Sequence, residues 1–213
     1  MISLFRERMG EGRRGGSRVW RFVFLSVLFL LFTVMVLCLV AEINGFFERV
    51  LGEGWQAGLE APLVEELLKP LGLYVLVVLS WTKLGVDLRF SNLCYVVGYT
   101  GGLIFGLLEN QSYGKFTGLR SLTPFSHALG AGLVGTGVYY LLKRGRWGVS
   151  RWVSLYLLAF ALHGAWNNIN LGWFRCVLGF SEFLLGFAYF TCSVSRLAGL
   201  KMRANLRLPT YLS

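Results

Sequence analysis

Four stretches of this chain carry no formal charge over roughly the thickness of a bilayer: residues 22–41, 90–108, 121–142 and 152–174, of 20, 19, 22 and 23 residues. A helix needs ~20 predominantly apolar residues to cross the hydrocarbon core. A soluble domain breaks such runs with surface charge. Only 15% of the 213 residues are charged and 55% are hydrophobic before the 27 glycines are added, whereas soluble domains carry ~25% charge. A disordered chain and most soluble domains are excluded. Two further segments are apolar but interrupted: 57–81 holds Glu60, Glu65, Glu66 and Lys69, and 176–195 holds Glu182. The pattern predicts an all-α polytopic membrane protein forming a single integral domain over 1–213. About six transmembrane helices are expected, at 22–41, 57–81, 90–113, 124–142, 151–170 and 176–195.

Basic residues orient such a bundle, because Lys and Arg accumulate in cytoplasmic loops. Sixteen of the 21 fall on the side of the N-terminus 1–21, the loops 83–91 and 143–151, and the tail 196–213. Four (Arg49, Lys115, Arg120 and Arg175) fall on the other side, and Lys69 lies within a helix. Both termini are therefore expected in the cytoplasm of a multi-pass protein of the cell membrane. Anionic lipid headgroups account for the net charge of +10, and no nucleic-acid partner is needed. The first span is too long for a signal peptide, and Leu39-Val40-Ala41 offers no clean cleavage site, so it reads as an uncleaved anchor. Cys38, Cys94, Cys176 and Cys192 lack metal-type spacing and read as small packing residues. Residues 43–55 place Ile43, Phe46, Phe47, Val50 and Leu51 on one helical face, which predicts a short interfacial helix on the outer surface.

Ionisable groups within a membrane are costly and usually mark function. Glu65, Glu66 and Lys69 stand early in the second span, at i, i+4 and i, i+3 spacing, so the ammonium reaches either carboxylate. Pro62 suits the first helical turn, and Pro70 predicts a kink. Glu109 closes the third span, His127 opens the fourth, and His163 and Asn167 share a face at the end of the fifth. With the orientation derived from Lys and Arg alone, all of these fall at one depth, in the outer half. A shared site outweighs the plainer reading of unrelated polar helix ends. Three chemistries fit it. A glutamate can act as general base on water, with His or Asn stabilising the oxyanion. Zinc can be bound by His127, His163, Glu109 and Glu66 and activate the water. A proton relay in a small transporter is the third.

The stretches A-P-L-V-E-E-L-L-K (61–69), F-G-L-L-E-N-x-x-Y (Phe105 to Tyr113), the isolated His127 and H-G-A-W-N (His163 to Asn167) resemble the PrsW family of intramembrane proteases. That family resembles a branch of the CAAX prenyl endopeptidase and bacteriocin-processing (Abi) superfamily. The resemblance implies that Glu65 and Glu66 form the glutamate pair, with Glu65 activating water. It implies supporting places for Lys69 and Phe105, Glu109 where the wider superfamily has His, His127 as an additional histidine, and His163 with Asn167 at the oxyanion. The implied substrate is a membrane-anchored protein or peptide, such as an anti-sigma factor cut on its extracytoplasmic side. The implied cofactor is zinc or none. The alternative is a non-catalytic membrane scaffold of the same fold.

Three features carry weaker claims. Glu182, in the sixth span, is assigned no role. Asn110-Gln111-Ser112 is a formal glycosylation sequon beside a membrane helix and is discounted. Glycines at 98, 101, 102 and 106 and at 130, 132, 135 and 137 predict close packing of the third and fourth spans, which would hold Glu109 near His127.

Overall fold

The computed structural model describes residues 27–29, 31–52, 59–75, 91–112, 118–168 and 172–206. The basic N-terminus 1–21, the loop 83–90, the end of the second expected span and the last residues 207–213 lie outside these. Every regular element among the described residues is helical. Helix α1 is Val27–Leu51, α2 is Ala61–Leu68 and α3 is Ser91–Ser112. A 3₁₀ turn, Gly118–Leu122, leads into α4, Thr123–Asn168, and α5 is Gly172–Leu206. Among the described residues, three helical stretches are long and apolar enough to cross a membrane: Val27–Leu51, Ser91–Ser112 and Gly172–Gly199.

Helix α1 runs unbroken through the point where a span and a separate surface helix are expected. The stripe Ile43, Phe46, Phe47, Val50 and Leu51 forms its last turns. Glu42 marks the end of the uncharged run, but a charge does not interrupt backbone hydrogen bonding. The helix ends at Gly52, whose φ of 83° is open to glycine at little cost, with its N–H bonded to the Glu48 carbonyl at 3.0 Å. At the other end of the chain, α5 continues past residue 196 into the expected tail.

Helix α2 has Pro62 in its first turn and stops at Leu68. Pro70 has no N–H to give to the preceding turn, and its ring crowds that carbonyl. The chain turns over Lys69 and Pro70, then resumes helix at 71–75, with Tyr74 N–H on the Pro70 carbonyl at 3.0 Å.

Helix α4 folds back on itself. His127 and His163 would be more than 50 Å apart at ~1.5 Å per residue in a straight helix, yet their rings stand 5.0 Å apart. Farther along, a Cβ on Gly137 would touch Trp152, and the Arg151 guanidinium lies 4.8 Å from the centre of the Tyr140 ring. The reversal sits at Gly145, with φ of 51°. Two antiparallel limbs result, and each histidine is at the far end of one.

The expected glycine packing of α3 on α4 is present. A Cβ on Gly98 would run into the Ala131 carbonyl, one on Gly102 into the His127 carbonyl, and one on Gly106 would stand 2.6 Å from Pro124 Cα. Val36 and Val40 of α1 pack with Phe105 of α3 in a cluster of buried residues drawn from both helices. Elsewhere the distribution is inside out. Leu31, Leu157 and Leu185 are exposed, while Glu65, Glu66, Lys69, His127 and His163 are buried. Hydrocarbon solvates the first set, and only mutual pairing can satisfy the second.

Candidate active site

The α2 segment presents Glu65, Glu66 and Lys69 to the bundle interior, since one helical turn separates the ammonium from both carboxylates. Lys69 Nζ lies 3.1 Å from Glu65 Oε2 and 2.7 Å from Glu66 Oε1. It also reaches His127 Nδ1 at 2.5 Å and stands 3.4 Å from His163 Nδ1. One cation thus touches side chains from α2 and from both limbs of α4. Phe105 of α3 packs edge-on against His127, with ring centres 5.5 Å apart, and lies under the ammonium at 5.1 Å.

Each imidazole is held by a carboxylate at one nitrogen. His163 Nδ1 lies 2.9 Å from Glu66 Oε1, and His127 Nε2 lies 2.7 Å from Glu109 Oε2, the latter at contact distance but off the ideal hydrogen-bond angle. A carboxylate so close to a ring nitrogen requires a proton between them. When the imidazole is neutral, that proton leaves the other nitrogen with a lone pair. Of the remaining nitrogens, His127 Nδ1 contacts Lys69 Nζ and His163 Nε2 lies 3.9 Å from Glu65 Oε2. Glu65, His127 and His163 offer donor atoms all within 4.8 Å of one another. Carboxylates on the far nitrogens of ligating histidines are the usual outer support of a metal site. The sequence groups Glu66 and Glu109 with the candidate ligands; here they lie against His163 Nδ1 and His127 Nε2, and Glu65 joins the two histidines in the converging set.

The donor set fits a divalent cation by charge as well. Glu65, Glu66 and Glu109 against Lys69 leave two formal negative charges when both imidazoles are neutral, and buried charge without compensation is costly. Imidazole and carboxylate are ordinary zinc donors.

Further residues shape the cluster. Asn44 of α1 donates from Nδ2 to Glu65 Oε1 at 3.1 Å. The other oxygen of Glu66, Oε2, lies against Gly130, where a Cβ would collide with it. Sequence reading singles out neither. Asn44 is hidden by the apolar stripe around it, although a lone amide in a membrane helix is itself a signal. Gly130 is one of a run of glycines with nothing to distinguish it. Asn167 is half-buried one turn beyond His163, and its backbone carbonyl accepts from Arg175 at 2.9 Å. The Asn110 side chain is fully buried and donates to the Arg120 carbonyl at 2.7 Å, so that sequon is not presented at the surface. None of the four cysteines forms a disulfide.

Membrane-length helices surrounding a buried cluster of imidazoles and carboxylates define an integral membrane protein with a metal-ligand type of site. The family model of the PrsW family intramembrane metalloproteases matches residues 17–194, and the chain belongs to that family. It is thereby a membrane hydrolase of the protease class. No curated protein and no solved structure matches it.

Proposed function

We propose that this chain hydrolyses a peptide bond of a membrane-anchored protein near the extracytoplasmic face of the cell membrane. The single observation carrying the reading is the convergence of Glu65, His127 and His163, with Glu66 against His163 Nδ1 and Glu109 against His127 Nε2. The proposed topology has six crossings with both termini cytoplasmic. The limbs of α4 form the fourth and fifth, and the asymmetry of sixteen basic residues to four sets the side.

Glu65, His127 and His163 would hold zinc. When bound, zinc lowers the pKa of a coordinated water and polarises the scissile carbonyl. Glu66 fixes the orientation of the His163 ring, and Glu109 that of His127. Glu109 is the least buried of the three carboxylates, its side chain 20% exposed. Lys69 balances part of the negative charge. Asn167, one turn from His163, supplies an amide for the developing oxyanion. Glu109 in the place of the wider superfamily's histidine and the outer level of the site favour an anti-sigma-factor-like substrate over a cytoplasmic prenyl protein.

A metal-free version has one observation in its favour. The Lys69 ammonium already contacts Glu65 Oε2 and His127 Nδ1, two of the three donors an ion would use. In that version Glu65 takes the proton of the attacking water and Lys69 is the resident cation. Elemental mass spectrometry on purified wild type and on the His127→Ala/His163→Ala double variant separates the two. Near-stoichiometric zinc, lost in the double variant, supports the metalloprotease. Proteolytically active protein free of metal supports the glutamate mechanism. Inactive, metal-free protein is reloaded with zinc, and recovery or its failure then assigns it to one or the other.

A further inference from the structure

Glu182 has no part in the cluster described above, yet it is 3% exposed. It projects from the inner face of α5, between Gly179 and Gly186. A Cβ on Gly179 would meet the Trp166 ring and Leu122, and one on Gly186 would meet Tyr99 and Leu129. These contacts place Glu182 in the seam where α5 covers α3 and both limbs of α4. The Ser126 hydroxyl is its neighbour, one residue before His127. Neither carboxylate oxygen has a hydrogen bond of ordinary geometry. Two more polar groups in the same seam are unpartnered. Thr123 Oγ1 lies one turn before Ser126 on α4, and the Tyr99 hydroxyl lies beside Gly186. Both side chains are more than nine-tenths buried.

Buried polar groups without ordinary partners are expensive; the Glu182 carboxylate accepts, the Thr123 and Tyr99 hydroxyls can accept as well as donate, and a seam so lined suits a ligand that donates. A peptide bond inside a helix is shielded from attack by its own turn. A membrane helix opened for cleavage frees backbone N–H groups where no water can satisfy them. We propose that Glu182, with Ser126 and Thr123 beside it, is a substrate-binding subsite. It accepts hydrogen bonds from the backbone N–H groups of a locally unwound membrane segment. This rests on the protease reading and specifies its substrate as a helix interrupted near the outer end of its span.

The test uses the full chain in lipid nanodiscs and two fluorescent single-span peptides. One is an uninterrupted leucine-alanine helix, and the other is matched but carries a Gly-Pro pair in its outer third. Wild type is expected to bind the interrupted span about tenfold more tightly, the scale of a hydrogen bond to a charged group. Glu182→Leu is expected to bring the two within twofold, Glu182→Gln to lie between, and the exposed control Ser181→Ala to match wild type. If Glu182→Leu fails to fold, the Glu182→Gln result decides. Equal binding of both peptides by wild type, or a preference surviving in the Glu182 variants, overturns the subsite. Loss of zinc in Glu182→Gln also overturns it, in favour of a ligand role. Cleavage is scored separately. A wild-type chain that prefers the interrupted span and never cuts it refutes the protease reading while the acceptor subsite stands.

Discussion

The two ends of the α3–α4 contact use the same device and fill it differently. At one end, Gly98 and Gly135 bring the backbones together, and the remaining space holds Leu73, Cys94 and Val138. At the other, Gly102 and Gly106 do the same, and the space holds Glu65, Glu66, Lys69, Glu109 and the two imidazoles. The aliphatic end needs only volume matched to the gap. The ionic end needs every charge matched as well, since one missing partner leaves a buried charge uncompensated. Close packing therefore serves cohesion at one end and keeps a polar cluster positioned at the other.

That contrast predicts separable failures. The largest is at the ionic end: Glu65→Gln should lower cleavage about 10³-fold, within the range for loss of a group acting directly on the reacting water. Because Lys69 keeps its 2.7 Å contact with Glu66, the charge is not left alone, and thermal unfolding in detergent should stay close to that of wild type. Equal loss of fold and activity would erase the distinction between the ends. Leu73→Ala is the counterpart at the aliphatic end. It should cost about 2–5 kcal/mol of stability through the cavity left behind, while zinc stoichiometry in the folded fraction is unchanged. Gly130→Ala sharpens the comparison, because its methyl would displace Glu66 from His163. About 10–100-fold is expected in zinc affinity, the usual scale for disturbing an outer-shell partner, with little change in melting temperature. Asn44→Ala should be smallest. It removes one amide hydrogen bond to Glu65 and should cost about 1 kcal/mol, visible as a few-fold drop in cleavage rate.

Much of this site can be read from the amino-acid order. Charge-free runs predict an all-helical chain with helices of membrane length, which the described residues form, and i, i+4 spacing pairs Glu65 with Lys69. The topology expected from the basic residues sets Glu109, His127 and His163 at one level, and the structure brings these side chains together. Less legible is where helices end, because charge reports depth and not hydrogen bonding. α1 passes Glu42 without a break, and α5 passes Arg196. The pairing inside the cluster is also hidden. Periodicity names the face of each helix but not the face it meets, so nothing in the order assigns Glu66 to His163 and Glu109 to His127, or draws Asn44 toward Glu65.

The reversal at Gly145 lies as many residues from His127 as from His163. The two imidazoles are thus opposite tips of one hairpin, and counting along the chain keeps them level. The carboxylates belong to α2 and α3, which leave the ribosome first, so the acidic half is made before the hairpin that completes it. Adding one residue to a single limb would swing its histidine by about 100° around the helix axis, whereas one residue added to each limb would turn both tips together. Chain length between two points, rather than any local contact, acts as the ruler for this centre.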